Sequence, residues 1–240
     1  MKRIMVIVFL CLFLIGCGGG IETVEAQQNT SIPFDQLAFA SDRTNGVAGI
    51  RLTGYSGIGG PIVIQREINR IPIRFIGDST FSGKKVFSVT IPDSVVIIGN
   101  SAFSNNIITS VTIPNSVTQI GGSAFAKNLL TSVTIPNSVT QIGDSVFANN
   151  LLTSITIPNS VTQIGGFAFA NNLLTSITIP NSVTQIGGSA FANNLLTSIT
   201  IGSNVQLPSD SVFGGGFFNL YNGVAGTYTR PDINTAWTRR

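Results

Sequence analysis

Residues 130–151 have the sequence Leu-Thr-Ser-Val-Thr-Ile-Pro-Asn-Ser-Val-Thr-Gln-Ile-Gly-Asp-Ser-Val-Phe-Ala-Asn-Asn-Leu, and near copies of this segment precede and follow it. The pair Ile-Pro within it recurs every 22 residues, beginning at Ile91, Ile113, Ile135, Ile157 and Ile179. A Phe recurs with the same step at Phe81, Phe103, Phe125, Phe147, Phe169, Phe191 and Phe213. A second Ile keeps the step at Ile76, Ile98, Ile120, Ile142, Ile164 and Ile186. A fixed period of this length is typical of stacked repeat architectures.

The pattern inside one unit predicts a short strand followed by turns. Residues 132–135 alternate polar and apolar side chains, which is the period of a half-buried strand. Pro136 ends this strand because it has no N–H to donate to a neighbouring strand. Phe147 is expected to fill the interior, and Asn149-Asn150 to turn the chain back toward the next Leu.

A single unit of this kind is too small to fold alone. Its apolar side chains contribute on the order of 10–20 kcal/mol when buried. Ordering the backbone of one unit costs roughly 20–40 kcal/mol. Stacking reverses the balance, because each coil then buries both of its rims and pairs its strand with two neighbours. We therefore expect parallel strands along one side and columns of Ile, Val and Phe inside.

The repeat motif identifies a family resemblance. The motif Leu-x-x-Val/Ile-x-Ile-Pro-x-x-Val-x-x-Ile-Gly-x-x-Ala-Phe resembles the BspA-type (Treponema-type) leucine-rich repeat over residues 76–213, and more loosely over residues 62–75. The resemblance implies a mainly β leucine-rich-repeat solenoid with 22-residue coils, a parallel sheet on one face and a cap at each end. It also implies that the chain is not an enzyme and binds partners at a cell surface.

The chain departs from the family pattern at one position of each coil. The family unit usually has one residue more and commonly a Cys three positions after the Phe. Here that position holds Asn106, Asn128, Asn150, Asn172 and Asn194. These amides are expected either to form an internal column that bonds to the backbone or to face solvent in a turn, and the residues leave both readings open.

The segments outside the repeats are expected to close the ends of the solenoid. Residues 33–75 are assigned to an N-terminal cap with an irregular first repeat, and residues 214–240 to a C-terminal cap. Short strands sealing the first end are predicted from Phe34, Leu37, Phe39, Ile50, Leu52 and Tyr55. The aromatic residues expected to cover the other rim, rather than form a ligand cage, are Phe213, Phe217, Phe218, Tyr221, Tyr228 and Trp237.

The N-terminus has the pattern of a bacterial export signal. Lys2 and Arg3 precede an apolar run, Ile4–Ile15, which is too short to span a bilayer comfortably but suits a signal-peptide core. The run ends in Leu14-Ile15-Gly16-Cys17, which resembles the lipobox of bacterial lipoproteins. The resemblance implies a signal peptide over residues 1–16, with a diacylglyceryl group on the sulfur of Cys17.

The alternative is a plain secretory signal or a short anchoring helix in which Cys17 is incidental. Under the lipoprotein reading, residues 17–32 are the lipidated Cys and a flexible tether that holds the body away from the membrane. Two or three acyl chains anchor a protein stably, since each buried CH₂ contributes about 0.8 kcal/mol. Gly18, rather than Asp, follows the lipobox and is compatible with export to the outer membrane.

Composition excludes several classes of function. Charged residues make up 10% of the chain, and it contains no His, the commonest general base and metal ligand. Between residues 101 and 201 the charged side chains are Lys127 and Asp144, so no basic stripe for nucleic acid can be drawn. The Cys residues are Cys11 and Cys17, both near the N-terminus. We expect no catalytic site, no metal and no cofactor.

The outward positions of the predicted strands remain as a candidate binding face. Stacked about 4.8 Å apart, they form a surface lined with hydroxyl groups. They are Ser110, Thr112, Ser132, Thr134, Ser154, Thr156, Ser176, Thr178, Ser198 and Thr200. The alternative interpretation is structural: hydroxyl groups keep a strand surface soluble and favour the β conformation. Phe167 stands where other coils have Ser, and it is expected to be an exposed hydrophobic contact or a neutral variation.

The leading interpretation is a lipid-anchored surface protein of the bacterial envelope that adheres to host matrix or cell-surface proteins, or to other bacterial surfaces. The near identity of the coils also suits a stalk or envelope coat without a dedicated ligand. A third interpretation is binding of ice or a mineral lattice by the Ser-x-Thr column. No nucleic-acid partner is expected.

Overall fold

The computed structural model describes residues 31–214 and 216–240, which form a solenoid of about seven coils built almost entirely from short β-strands. The strands of the described residues are β1 (Leu37–Thr44), β2 (Val47–Tyr55), β3 (Gly60–Val63), β4 (Glu67–Ile68), β5 (Ile71–Ile76), β6 (Val86–Thr90), β7 (Ile97–Ile98), β8 (Val111–Thr112), β9 (Gln119–Ile120), β10 (Gln141–Ile142), β11 (Gln163–Ile164), β12 (Ser176–Thr178), β13 (Gln185–Ile186), β14 (Ser198–Ile201), β15 (Gly226–Thr229) and β16 (Thr238–Arg239). Short helical segments are the 3-10 turns Phe34–Gln36 and Asp210–Val212 and the α-helix α1 (Phe217–Tyr221).

Successive coils pair in parallel with the 22-residue step of the sequence. On one side β3, β6 and β8 form one ladder and β12 and β14 another, so that Ser176 lies opposite Ser198. On another side β5, β7 and β9 form a ladder, as do β10, β11 and β13, with Gln141 opposite Gln163. The predicted solenoid and its parallel pairing are confirmed, and the pairing occurs on two sides of the coil rather than one.

The strand predicted over residues 132–135 is wrong in its extent. Within this coil Thr134 forms a single bridge to Thr112, and the next coil has no assigned strand at its Ser-x-Thr segment among the described residues. Val133 and Ile155 are half-buried in these coils. The Pro after the segment does not explain the difference, because Pro180 stands in the same place after β12. The coils are further apart here: ring centroids of the Phe residues at 125, 147 and 169 are 5.7 to 5.8 Å apart, against 5.2 to 5.3 Å for the other pairs of that repeat position.

A column of Phe side chains forms the center of the solenoid. Neighbouring rings from Phe81 to Phe213 have centroids 5.2 to 5.8 Å apart and planes within 14° of each other. All seven Phe side chains are buried. Offset parallel rings at this separation are a favourable arrangement of aromatic pairs. The predicted interior position of the Phe residues is therefore confirmed.

A column of Asn side chains joins each coil to the one before it. The Nδ2 of Asn150 donates to the carbonyl oxygens of Phe125 at 3.0 Å and Phe147 at 3.1 Å. Its Oδ1 accepts from the backbone N–H of Leu130 at 3.0 Å. The same bonds are made by the Asn of the other coils, at 106, 128, 172 and 194. The internal role is therefore the correct one of the two alternatives, with the last Asn half-buried.

The turn after each Gln-Ile strand brings backbone of adjacent coils into close contact. A Cβ added at Gly187 would lie 2.4 Å from the backbone nitrogen of Gly166, and one at Gly121 would lie 2.6 Å from that of Asn100. At Gly143 the nearest atom is 3.4 Å away. Among the described strands β9 and β10 do not pair, so the coils are further apart at this point.

Side chains next to these glycines contribute to the spacing of the coils. Oδ1 of Asn100 accepts from the N–H of Gly122 at 2.8 Å, and Oδ1 of Asp144 accepts from that of Gly166 at 2.7 Å. Gly122 occupies the equivalent position in the coil between them, and it has no side chain to accept a backbone N–H of the next coil. Strands β9 and β10 separate between these same two coils. Gly166 also lacks an accepting side chain, yet β11 and β13 on either side of it are paired. The missing hydrogen bond is therefore not sufficient to separate β9 from β10.

The N-terminal cap is a β-hairpin that continues the solenoid. Strands β1 and β2 pair antiparallel, and β2 pairs in parallel with β5 of the first coil. Leu37, Ile50 and Leu52 are buried, and the Tyr55 ring lies 5.3 Å from that of Phe81. These strands are longer than the short strands predicted. Phe39 was expected in the seal but is 42% exposed. Alternation alone would place it on the same face as Leu37, but the pairing of β1 with β2 shifts register between Ala38 and Phe39, and this bulge turns Phe39 outward.

The C-terminal cap covers the last coil with aromatic side chains. The Phe217 ring packs edge-on against Phe213 at 4.7 Å, Tyr228 at 5.0 Å and Trp237 at 5.5 Å. The hydroxyl of Tyr221 donates to the carbonyl of Gly202 and accepts from the N–H of Val205, and burial raises its pKa. The predicted rim cover is confirmed for these side chains. Phe218 is 41% exposed, so its predicted place in the cover is wrong, since neighbouring helical residues face different directions.

The close backbone contact at Gly187 predicts a difference between two glycines of the same motif. We expect Gly187→Ala to lower the free energy of unfolding by about 1–3 kcal/mol, because the added methyl forces two coils apart. Gly143→Ala is the matched control and should change it by less than about 0.5 kcal/mol, because its new methyl meets only ordinary contacts. Urea unfolding of the two variants measures the difference, and equal losses would contradict the spacing described here.

Candidate interaction surfaces

The hydroxyl face consists of the outward Ser and Thr residues of the Ser-x-Thr segments. Eight of the ten predicted positions are exposed: Ser110, Thr112, Ser132, Thr134, Ser154, Thr156, Ser176 and Thr178. Ser198 and Thr200 are half-buried, because β15 pairs along β14 and places Thr227 with its hydroxyl oxygen 3.0 Å from that of Thr200. Most of the predicted face is therefore available to a partner, and its last coil is partly covered.

The middle of the hydroxyl face is less regular than predicted. A depression of about 370 Å³ extends over three coils there, lined by Val133, Thr134, Ile135, Thr156 and Pro158 among others. The parallel pairing ends here, because Thr134 bridges Thr112 and the described residues at 154–156 belong to no strand. The face is therefore two ordered hydroxyl patches with a shallow recess between them.

Phe167 lies apart from the hydroxyl face. It follows the strand Gln163–Ile164 and the turn glycine Gly166, and its N–H donates to the carbonyl of Gly188. Its side chain is 54% exposed, as its place in the repeat predicted. Its φ of 55° is in the left-handed region, which is costly for a bulky side chain. The structure therefore does not bring Phe167 together with the Ser-x-Thr residues.

A second polar surface was missed at the level of sequence. The outward residues of the Gln-Ile strands form a Gln column, comprising Gln119, Gln141, Gln163, Gln185 and Gln206. Beside it runs a row of exposed Thr residues, Thr118, Thr140, Thr162 and Thr184. The sequence signal for this surface is the repeated Thr-Gln-Ile-Gly. Its Ile is buried in the core, so the Thr and Gln that precede it are repeated without being needed for packing.

An elongated trough lies between the Gln column and the turn glycines. It consists of three depressions of about 530, 340 and 380 Å³ that share lining residues, among them Gln141 and Gly143 at one junction and Gln185 and Gly187 at the other. Asn100 lies at one end and Pro208 at the other. The trough therefore follows the solenoid over several coils.

A column of exposed aliphatic side chains was also missed. One residue per coil is 40 to 46% exposed: Ile107, Leu129, Leu151, Leu173 and Leu195. Each precedes a fully or nearly fully buried partner, Ile108, Leu130, Leu152, Leu174 or Leu196. The two members of each pair face opposite directions, and the doublet in the sequence does not distinguish the outward one from the inward one.

Charge is concentrated toward the two ends of the solenoid, in residues 35–93 and 210–240. Arg51 pairs with Asp42, and Arg66 pairs with Asp93 at 3.1 Å. In the part of the chain that the structure describes, no group of three or more His, Cys, Asp or Glu is placed to hold a metal ion. Across the same residues, no helix has the length and apolarity needed to cross a bilayer. Cys17 lies outside the described residues.

The stacked coils, the Phe column and the Ile-Pro turns define a leucine-rich-repeat solenoid. The model of the BspA type leucine rich repeat region matches residues 74–194 and 140–218, in six copies. The chain therefore belongs to the BspA-type leucine-rich-repeat family. A comparison with curated proteins finds no match.

Three solved structures are similar to the chain. A leucine rich cell surface protein from Faecalibacterium prausnitzii A2-165 is 27% identical with a TM-score of 0.53, over 87% of this chain and 60% of that one. A leucine-rich repeat protein from Bacteroides ovatus ATCC 8483 is 22% identical with a TM-score of 0.46, over 72% and 66% of the two chains. The T. pallidum leucine rich repeat protein is 25% identical with a TM-score of 0.40, over 68% and 67%. The chain thus spans about three fifths to two thirds of these proteins.

The backbone at Phe167 predicts a substitution that stabilises the fold. We expect Phe167→Asn to raise the free energy of unfolding by about 0.5–1 kcal/mol, because Asn tolerates the left-handed conformation better than Phe. Asn149 and Asn171 already adopt it here, with φ of 56°. Leu173→Asn, a change at another exposed apolar residue whose φ is negative, serves as the control and should give no gain. Thermal unfolding compares them, and a loss at Phe167 would contradict the assignment of strain.

Proposed function

We propose that this chain is a bacterial cell-surface protein that mediates adhesion through the hydroxyl face of its solenoid. The single observation that carries the proposal is this face, in which exposed Ser and Thr residues repeat over the coils with almost no charge. The similar Faecalibacterium protein is described as a leucine rich cell surface protein, which supports the location. The proposed partners are host matrix or cell-surface proteins, or the surfaces of other bacteria.

The near identity of the coils favours one kind of binding. A single folded partner presents different chemistry at different points, whereas this face offers the same hydroxyl pair at each coil. Many weak, equivalent contacts suit a repetitive or multivalent partner, since linked sites raise the overall affinity without any strong single contact. The same uniformity favours a second candidate, a stalk or envelope coat without a dedicated ligand.

We also propose a non-enzymatic role. The chain lacks His, and in the described residues its carboxylates are not gathered into a group that could hold a metal ion. Ser and Thr hydroxyls need a neighbouring base to act as nucleophiles, and the recess in the hydroxyl face is lined by Thr, Asn, Pro and aliphatic residues, none of which is such a base. Binding and display remain the chemistry that these surfaces support.

The adhesion proposal is tested by adding charge to the hydroxyl face. We expect the combined change Ser132→Lys, Thr134→Lys, Ser154→Lys and Thr156→Lys to reduce attachment of the displayed full chain to matrix proteins or bacterial cells by at least about tenfold. The reason is that buried, unpaired charges at a binding face are costly. Plate or flow-cell attachment assays measure it.

The matched control adds the same charge elsewhere. Asn105→Lys, Asn149→Lys, Asn171→Lys and Asn193→Lys change exposed positions equivalent to Lys127, which shows that the coil accepts Lys there. The control should attach normally. Equal attachment of both variants, with both folded, would favour the stalk, and no attachment by the unchanged chain across a broad panel would overturn the proposal.

The second part of the proposal is a lipid anchor on Cys17 after removal of residues 1–16. We expect Cys17→Ser to abolish incorporation of labelled fatty acid and to release the protein from the membrane fraction, because the acyl chains supply the anchoring free energy. Cys11→Ser is the control and should leave both unchanged. Membrane retention of unlabelled Cys17→Ser protein would instead indicate an uncleaved anchoring helix.

A further inference from the structure

The chemical character of the trough beside the Gln column points to an uncharged ligand with many hydroxyl groups. Its lining consists of Gln, Thr and Asn side chains, turn glycines and Ile, with Leu207 and Pro208 at one end. The one charged residue among them is Asp144, whose Oδ1 already accepts the N–H of Gly166. A Gln amide offers both donors and an acceptor, so it pairs with a hydroxyl group in either sense.

The spacing of the trough matches a polymer rather than a small molecule. Gln141 lies in register with Gln163, and Gln163 with Gln185, so one amide is presented per coil. Hydrogen-bonded parallel strands lie about 4.8 Å apart, which is close to the length of one sugar unit in an extended β-linked glycan. Successive sugars of such a chain can therefore meet successive coils with the same contacts.

The interruption between β9 and β10 widens the trough at its largest depression. There the depression has a volume of about 530 Å³ and is lined by Thr118, Gln119, Thr140 and Gln141 among others. Between these two strands the described backbone makes no ladder bonds, and Gly143 stands further from the preceding coil than its counterparts do. Backbone groups and hydroxyls are thus accessible to ligand hydroxyls at this point.

Phe167 is an exposed aromatic residue one position beyond the lining of the trough. It directly follows Gly166, which lines the central depression, and it is the exposed residue at a position where neighbouring coils have Ser. The apolar faces of sugar rings pack on aromatic rings, and an aromatic side chain supplies a large contact area with few torsions to order. A strained backbone kept at an exposed aromatic residue is consistent with a role in binding.

We propose that this trough binds an uncharged, extended β-linked polysaccharide that runs along the solenoid with one sugar unit per coil. The Gln column, from Gln119 to Gln206, hydrogen-bonds the sugar hydroxyls, and Phe167 packs against one sugar ring. The site is on a different side of the coil from the hydroxyl face, so it does not depend on the adhesion proposal.

The test titrates the purified full chain in mild detergent with defined oligosaccharides by calorimetry. The probes are cello-oligosaccharides and chito-oligosaccharides of two to eight units, with malto-oligosaccharides as the control because their α-linked chains coil. We expect affinity for at least one β-linked series to rise with length and level off near five units, the number of Gln residues in the column. Monosaccharides and the malto series should bind at least about tenfold more weakly.

Three variants locate the site. The double change Gln141→Ala and Gln163→Ala should weaken binding by at least about tenfold, and Phe167→Ser by at least about threefold, with the fold intact by circular dichroism. The change Ser154→Ala with Thr156→Val, on the hydroxyl face, should leave the affinity unchanged.

The outcomes separate the two proposals. Absence of binding by either β-linked series, binding independent of chain length, or unchanged affinity in the Gln variant would overturn the glycan site. If cell attachment persists in those cases, and saturating oligosaccharide does not compete with it, the adhesion proposal stands alone. Glycan binding by a chain that attaches to no surface would leave the trough assigned and remove the adhesion proposal.

Discussion

The structure depends on the contact between equivalent residues of successive coils. A Phe ring stacks on the Phe of the next coil, and three residues later an Asn amide joins carbonyls and an N–H of two coils. The Phe column removes a large apolar area from water, and the Asn column satisfies backbone groups that the turn would otherwise leave buried without partners. Both columns require the same 22-residue step, so the period and the fold specify each other.

The interior could be predicted from sequence because it follows strict periodicity. The Phe column, the parallel pairing and the aromatic cover over the last coil all rest on residues whose type is restricted by burial. The sequence allows two interpretations of the Asn column, because Asn occurs both in exposed turns and in buried hydrogen-bonding positions. Its partners, such as the carbonyl of Phe125, become visible only when coils are stacked.

The surface was predicted less well, for the same physical reason. Exposed positions have weak residue preferences, so the pattern did not distinguish Leu129, which is exposed, from the buried Leu130. The sequence does not reveal the Gln column, because buried Ile residues such as Ile120 account for these strands without it. The interruption between β9 and β10 arises from small differences in coil spacing, and nearly identical coil sequences carry little information about such differences.

The C-terminal cap has a consequence for how the molecule varies in length. Strand β15 closes the edge of β14 in antiparallel fashion, and α1 with its aromatic neighbours covers the last Phe. Both ends are therefore sealed independently of how many coils lie between them. Gain or loss of a 22-residue segment by recombination between the near-identical copies would keep each junction in register. The lineage can thus lengthen or shorten its exposed surfaces in steps of one coil without redesigning either end.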